Sequence, residues 1–362
     1  MSGAIKPMRR RLISALGALA VACSAAILQP VALADTRALD LLHKRLQGGE
    51  VPNVHSVLVV QHGRTVAEWY FDGTDEIRGG ASMRATFDHD TLHDLRSASK
   101  SVVSLLFGIA LKSGAIKDLD TPVLDYFPEY SDLQTPERRK IRLRDLLTMT
   151  SGLRWDEGPS YKDPRNSETA MDAAPDRYRY VLSRPLDSLP GTRWRYSGGD
   201  VALVAAVITR TTGIPIDEYA KKLFLPLKIS DFVWLKDAKE VPFAASGLRL
   251  TPRDMAKIGL MVLRQGRSAT GVQVVPGEWI KASIAPHVKA FQSGNCTVEY
   301  GYFWWLGPRC NPKWVSAIGN GGQRIYLVPS RDLVIVTTAG LYNSPQQNKM
   351  NDVLTSIEDA VQ

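Results

Sequence analysis

The chain has 362 residues, 44% of them hydrophobic, which is enough apolar content for one large domain or two small ones. Its formal net charge is +8, but Lys6, Arg9, Arg10 and Arg11 supply four of those charges within the first 34 positions, where no acidic residue stands. Without them the charge is +4, which is not the footprint of a nucleic-acid-binding protein, so no nucleic-acid partner is expected.

The four basic residues precede an apolar run from Leu12 to Leu28, and Ala32-Leu33-Ala34 has the small-x-small form that signal peptidase cuts. Residues 1–34 therefore read as a signal peptide, with a mature chain starting near Asp35 that is periplasmic or secreted. A second reading makes Cys23 a lipidated N-terminus, since Ala20-Val21-Ala22-Cys23 loosely resembles a lipoprotein signal, though without its usual leucine. No later stretch reaches the roughly 20 apolar residues of a membrane span, so no stable membrane insertion is expected after the leader is removed. Loss of Cys23 leaves Cys296 and Cys310 as a pair, which an oxidising compartment would join as a disulfide.

Two β-rich runs follow, Ser56–Val60 and Thr65–Phe71, separated by a link containing Gly63, and they read as a hairpin. From Ser97 to Ser113, apolar residues at Val102, Val103, Leu105, Leu106, Ile109 and Leu111 predict a buried helix ended by Gly114. Between about Asp118 and Leu225 the periodicity is helical, broken by turn clusters such as Gly158-Pro159 and Leu189-Pro190-Gly191. Thr251-Pro252-Arg253-Asp254 caps a further helix running to Leu263. Tyr300–Trp305 is aromatic on both faces and reads as a buried strand. A hairpin is expected from Gln323–Val328, a Pro329–Asp332 turn and Leu333–Thr338, and Asn348–Val361 reads as an amphipathic helix packed on it. Strands at both ends with helices between predict one sheet, built from both termini, that encloses a helical insert.

Ser97-Ala98-Ser99-Lys100 is the one S-x-x-K in the chain. Three residues along a helix place a serine hydroxyl and a lysine amine on one face, one turn apart, at an N-terminus whose dipole favours developing negative charge. For Lys100 to act as a base its pKa must fall from about 10.4 toward 7, through burial or a nearby cation. No G-x-S-x-G elbow is present, and only His287 follows Ser97, so a histidine base is poorly supported. Taken alone, the motif fits a helix cap followed by a solvated lysine equally well. Asp88-His89-Asp90 with His93-Asp94 has the density of a ligand set but no firm metal spacing, and no metal or other cofactor is expected.

The motifs together are more specific. Ser97-Ala98-Ser99-Lys100-Ser101, Tyr196-Ser197-Gly198-Gly199 and Gly319-Asn320-Gly321-Gly322-Gln323 stand in the order of the three motifs of the class C β-lactamase-related serine hydrolases, which the chain resembles from about Val51 to Gly340. That superfamily includes DD-peptidases, EstB-type esterases and 6-aminohexanoate-dimer hydrolases. The resemblance implies an α/β (α+β) fold of the β-lactamase/transpeptidase-like kind, an antiparallel sheet flanked by helices. One domain would span 35–362, with its sheet part at about 35–117 and 235–362 and a helical insert at about 118–234.

The resemblance also implies the chemistry: a small-molecule amide or ester opened through an acyl-enzyme on Ser97, with Lys100 and Tyr196 as catalytic partners. The backbone N–H groups of Ser97 and Gln323 would form the oxyanion hole. Asn320, Gly321 and Gly322 would line the substrate edge, and Tyr161 and Trp155 would wall the pocket. Two departures stand out, because Gly198 replaces the Asn of Y-x-N and Asn320 replaces the Lys or His of the third motif. Without that cation a penicillin carboxylate loses a charge-assisted partner worth about 1.5–3 kcal/mol, so efficient β-lactam hydrolysis is not expected. Y-S-G-G and x-G-G-Q look more like the aminohexanoate-oligomer hydrolase and esterase branch. The alternatives are a β-lactamase or DD-peptidase, or a catalytically weak cell-wall binding or sensor protein that is acylated without turnover.

Overall fold

Strands buried at every position, Val54–Gln61, Gln323–Val328 and Leu333–Ala339, build a sheet with two buried faces. The computed structural model describes residues 1–4, 35–307 and 313–361. The expected leader cleavage site, Cys23 and Cys310 lie outside the described residues.

Asp35 caps helix α1 (Thr36–Gln47), its carboxylate accepting from the Ala38 N–H. Strands β1 (Val54–Gln61) and β2 (Arg64–Tyr70) follow. Between them His62 and Gly63 both take positive φ, 50° and 71°, as a tight two-residue hairpin requires. Helix α2 (Ser99–Lys112), helix α3 (Ser167–Ala173), helix α4 (Gly198–Thr212) and helix α5 (Pro252–Leu263) come next. The chain then returns to the sheet with β3 (Val288–Ser293), β4 (Cys296–Tyr300), β5 (Trp305–Leu306), β6 (Val315–Gly319), β7 (Gln323–Val328) and β8 (Leu333–Ala339). Helix α6 (Met350–Ala360) ends the fold.

The eight strands form one antiparallel sheet in the order β2-β1-β8-β7-β6-β5-β4-β3. Strands from the N-terminal and C-terminal parts of the chain meet where β1 lies beside β8, second and third in that order, with Val57 paired to Thr337 and Val59 to Ile335. On one face Val57, Val59, Tyr326, Val328, Leu333 and Ile335 pack against Leu39, Leu42 and Leu46 of α1 and Val353, Leu354 and Ile357 of α6. On the other face Leu58, Val60, Ile325, Leu327, Val334 and Val336 join the larger core containing α2, α4 and α5. Each fully buried aliphatic side chain contributes about 1.5–3 kcal/mol, so this two-sided packing dominates the stability.

The sequence reading of Tyr300–Trp305 as one strand needs correction. Tyr300 ends β4, the chain turns through Phe303 at φ 61°, and Trp305 opens β5 directly opposite Tyr300. Gly301 permits the turn, because a Cβ there would lie 2.1 Å from the Ser283 carbonyl oxygen.

Among the described residues no single helix is long and apolar enough to cross a membrane. The bent pair Gly198–Thr212 and Ile216–Leu227 passes by length and composition, but Gly198–Ile208 is buried against protein.

Candidate active site

Ser97 sits in a 3-10 turn, Arg96–Ala98, that leads into α2. A short sheet sets this turn in place: His93–Asp94 pairs with Leu248–Leu250, and the Leu95 N–H donates to the Leu248 carbonyl at 2.9 Å. Arg96 takes φ 48°, a left-handed conformation costing a non-glycine residue on the order of 1–3 kcal/mol. Three contacts hold it there: an ion pair to Asp94 at 3.5 Å, a hydrogen bond to the Glu76 carbonyl at 2.6 Å, and the Tyr342 ring 4.2 Å below the guanidinium.

Lys100, one turn into α2, is 1% exposed. Its Nζ donates to Ser97 Oγ at 3.1 Å, to the Ala245 carbonyl at 3.1 Å and to Glu168 Oε2 at 3.4 Å. An ammonium has three N–H donors, and here three acceptors receive them, so the cavity fits the charged form. Burial lowers the pKa of Lys100, but the Glu168 carboxylate, with Tyr196 and Glu157, more than offsets this and raises it above the ordinary value. The shift toward 7 that a lysine base requires is thus not produced by these surroundings, because the neighbours are anionic.

Tyr196 precedes α4 and lies half-buried, stacked on Trp305 at 5.5 Å, with the Lys100 Nζ 5.0 Å from its ring centroid. Burial raises the Tyr196 pKa, and Lys100 opposes that rise. Ser197 caps α4 by accepting from the Asp200 N–H at 3.0 Å, which fixes where Tyr196 leaves the helix.

Two carboxylates that the sequence reading missed complete the cluster. Glu168 is buried, accepting from Ser246 Oγ at 2.7 Å and pairing with Lys100. Burial pushes the Glu168 pKa up, while Lys100 and Arg78 draw it below the usual carboxylate range. Glu157 accepts from the Gly198 N–H at 2.6 Å, the Trp155 indole N–H at 2.6 Å and the Tyr161 hydroxyl at 2.7 Å. Burial, reinforced by repulsion from Glu168, raises its pKa. The one sequence signal for Glu168 was Gly198, at the third position of the Tyr196 motif. A Cβ at Gly198 would lie 2.3 Å from Glu168 Oε2.

Two cavities open on Ser97. One, of about 420 Å³, is lined by Glu76, Arg78, Arg96, Lys162, Glu168 and Asp172 together with Tyr161 and Asn320. The other, of about 430 Å³, runs past Glu157, Tyr161, Tyr196, Trp305, Gly319 and Asn320. The cations facing the first are paired: Arg78 with Asp172, Arg96 with Asp94, and Lys162 with Glu76 at 2.8 Å.

The expected substrate-edge residues divide. Tyr161 and Asn320 line both cavities. Trp155 is 1% exposed, so it supports Glu157 from beneath instead of walling the pocket. Gly321 and Gly322, at φ 97° and 102°, turn toward Tyr342 and toward Ala339 and Met350. Gln323 is buried, its side-chain amide donating to the Ala339 carbonyl at 2.5 Å, and it lines neither cavity. Asn320, at the end of β6, occupies the edge where Gln323 was expected. Its side chain is engaged with Asn343, donating to Oδ1 and accepting from the backbone N–H, both at 2.9 Å.

The Asp88–Asp94 stretch has a packing role. His93 lies 5.0 Å from the Phe87 ring and 5.6 Å from His55, and Asp94 pairs with Arg249 at 2.6 Å. Among the described residues no three His, Cys, Asp or Glu side chains converge as a metal site.

An antiparallel sheet with helices on both faces, and a serine and lysine at the start of a buried helix between them, define a β-lactamase/transpeptidase-like serine hydrolase. The chain belongs to the Beta-lactamase family, whose model it matches over residues 40–357. It is 28% identical over 336 residues to the 6-aminohexanoate-dimer hydrolase of Paenarthrobacter ureafaciens, covering 85% of this chain and 78% of that one. Esterase EstB of Burkholderia gladioli is 29% identical over 167 residues, 44% of this chain and 41% of its own. Among solved structures, the octameric penicillin-binding protein homologue from Pyrococcus abyssi superposes with a TM-score of 0.63 at 18% identity, covering 88% of this chain and 77% of that one, a likeness of fold.

Proposed function

We propose that the chain hydrolyses a linear amide or an ester through an acyl-enzyme on Ser97, with Tyr196 carrying the protons and Lys100 acting as a fixed cation. The observation that carries this is the Lys100 Nζ, 3.1 Å from Ser97 Oγ and 5.0 Å from the Tyr196 ring centroid, with Ser97 and Tyr196 both lining a cavity large enough for a small substrate. The Tyr196 phenolate, stabilised by the Lys100 ammonium, takes the Ser97 proton as Oγ attacks the carbonyl carbon. It returns that proton to the nitrogen or oxygen of the leaving group when the scissile bond breaks. Water then attacks the acyl ester as Tyr196 takes a proton from it, and Tyr196 passes that proton to Ser97 Oγ when the acyl C–O bond breaks, which releases the acid and restores Ser97 and the phenolate.

For the oxyanion we assign the Ser97 N–H and, in place of Gln323, the Asn320 N–H, because Asn320 shares both cavities with Ser97. The name of the Paenarthrobacter relative supports a linear amide substrate. The engagement of the Asn320 side chain with Asn343 supports weak handling of a β-lactam carboxylate. Export with loss of residues 1–34 remains part of the proposal.

The test is a panel of short acyl esters, linear amide oligomers, D-Ala-D-Ala peptides and a chromogenic cephalosporin. Ester or linear-amide kcat/KM should exceed that for the cephalosporin. Efficient cephalosporin turnover by the unaltered protein would overturn the substrate assignment, and a single acylation without turnover on every substrate would favour the sensor reading.

A further inference from the structure

We infer that Glu168 is a positioning residue for the catalytic lysine, and that it occupies the space left by glycine at the third position of the Tyr196 motif. The inference rests on the Ser97-Lys100-Tyr196 reading and deepens it.

Glu168 and Lys100 come from separate helices, α3 and α2, and their side chains are 2% and 1% exposed. Two charges are left this dry only when each is paired, since an unpaired buried ion costs several kcal/mol. Glu168 Oε2 receives Lys100 Nζ, and Oε1 receives the Ser246 hydroxyl, so the carboxylate is held at both oxygens. Asn166 caps α3 by accepting from the N–H groups of Glu168 and Thr169 at 2.9 and 3.2 Å, which fixes the backbone that carries Glu168.

The Gly198 clearance is the second, independent observation. The Y-x-N pattern that the sequence resembles has an asparagine at this place, whereas here a Cβ alone would lie 2.3 Å from Oε2 and 2.9 Å from the carboxyl carbon. Gly198 opens α4 as its first helical residue and takes no positive φ, so conformational freedom does not account for it. The carboxylate and a side chain at 198 are therefore alternatives, and this chain has the carboxylate.

Facing Glu168 are Lys100 from α2, Arg78 from the loop after β2, Tyr196 and Glu157 beside the pocket, and Asp172 on its own helix. Its negative charge keeps Lys100 an ammonium aimed at Ser97. The same charge disfavours the Tyr196 phenolate. Replacing it by an isosteric amide makes it easier for the site to lose a proton.

The experiment measures kcat/KM against pH for the full chain and for Glu168→Gln, each shown to be labelled on Ser97 by a fluorophosphonate. The alkaline rise should move to lower pH by at least about one unit in the variant, since a buried anion near a titrating group is removed. A profile that keeps its position in correctly labelled protein would overturn the inference while leaving the Ser97 reading intact. Labelling that survives Ser97→Ala would instead remove the reading on which it rests.

A second arm tests the shared space directly. Gly198→Asn should lower kcat at least tenfold in the native background, because the new side chain meets the carboxylate. In a Glu168→Ala background the same change should cost less than about threefold, the coupling expected of groups that share one space. Equal losses in both backgrounds would refute the exchange.

Discussion

Three acceptors surround one ammonium in the candidate site. Ser97 Oγ, the Ala245 carbonyl and Glu168 Oε2 saturate Lys100, so removal of Lys100 takes away both a charge and an orienting donor. Lys100→Ala and Tyr196→Phe should each lower kcat by at least about 10² on an amide. An activated ester needs less protonation of its leaving group, so Tyr196→Phe should cost less on the ester than on the amide. Equal losses would contradict the role given to Tyr196. Burial raises the Tyr196 pKa, and a base whose pKa is raised is active only in its minor form near neutrality, so kcat/KM should climb with pH through the alkaline range. A plateau already reached by about pH 8 would show a different base.

A second residue-scale prediction concerns His55 and His93. Burial lowers their pKa values to about 4 and about 3, with Asp75 opposing the fall at His55 and the His55 charge adding to it at His93. Each is neutral when folded, while the unfolded chain takes up protons below about pH 6.5. Their contribution to stability is therefore complete above about pH 6.5 and is lost as pH falls toward 4 and then 3. The Tm should drop across that window, and His93→Phe should flatten the slope. The sequence displayed His93 in a ligand-like cluster with His89 and did not single out His55, and only the ring contacts of His55 and His93 with Phe87 reveal their packing role. Ser97, Lys100 and Tyr196 were legible because each lies in a short motif. Glu157 and Glu168 were not, because their partners are remote in sequence.

At the scale of elements, helices with one apolar stripe and hairpins with turn residues were readable. The gap between Gln61 and Arg64 and the Thr251-Pro252 start of α5 fall where local chemistry places them. Helix α1 went unread although Leu39, Leu42 and Leu46 share one face, because its burial depends on α6 from the far end of the chain. The aromatic run at Tyr300–Trp305 misled for the opposite reason. Its side chains are apolar enough for a strand, but the backbone must turn to pair Tyr300 with Trp305. In α5, Gly259 sets the approach to the sheet, since a Cβ there would lie 2.7 Å from Val334 Cγ1 and 3.0 Å from Leu327 Cδ2. Gly259→Val should destabilise by about 1–3 kcal/mol through overpacking, read as a lower denaturant midpoint with an unchanged m-value. No change in midpoint would show that helix and sheet separate freely.

At the scale of the whole molecule, the two ends of the stretch 35–361 meet. The Asp35 N–H donates to the Ala360 carbonyl at 2.7 Å, and the Gln61 side-chain amide donates to the Val361 carbonyl at 3.1 Å. The sequence foretold a sheet shared between the termini, but strand order and register depend on pairings such as β1 with β8 that no local pattern records. The proposed Cys296–Cys310 disulfide belongs to this scale, because it depends on the compartment. Closing a loop of about 15 residues would add about 3 kcal/mol by restricting the unfolded chain. Reduction should then lower the Tm before it alters kcat. Two free thiols in protein recovered from the periplasm would rule out the bond.

The central claim is that Ser97 carries the acyl group. Intact-mass and peptide mass spectrometry after brief incubation with an activated ester tests it most directly. The expected result is one acyl addition on the peptide containing Ser97, decaying as product forms, and absent from a folded Ser97→Ala protein of unchanged Tm. Acylation of another residue, or undiminished turnover by Ser97→Ala, would contradict it.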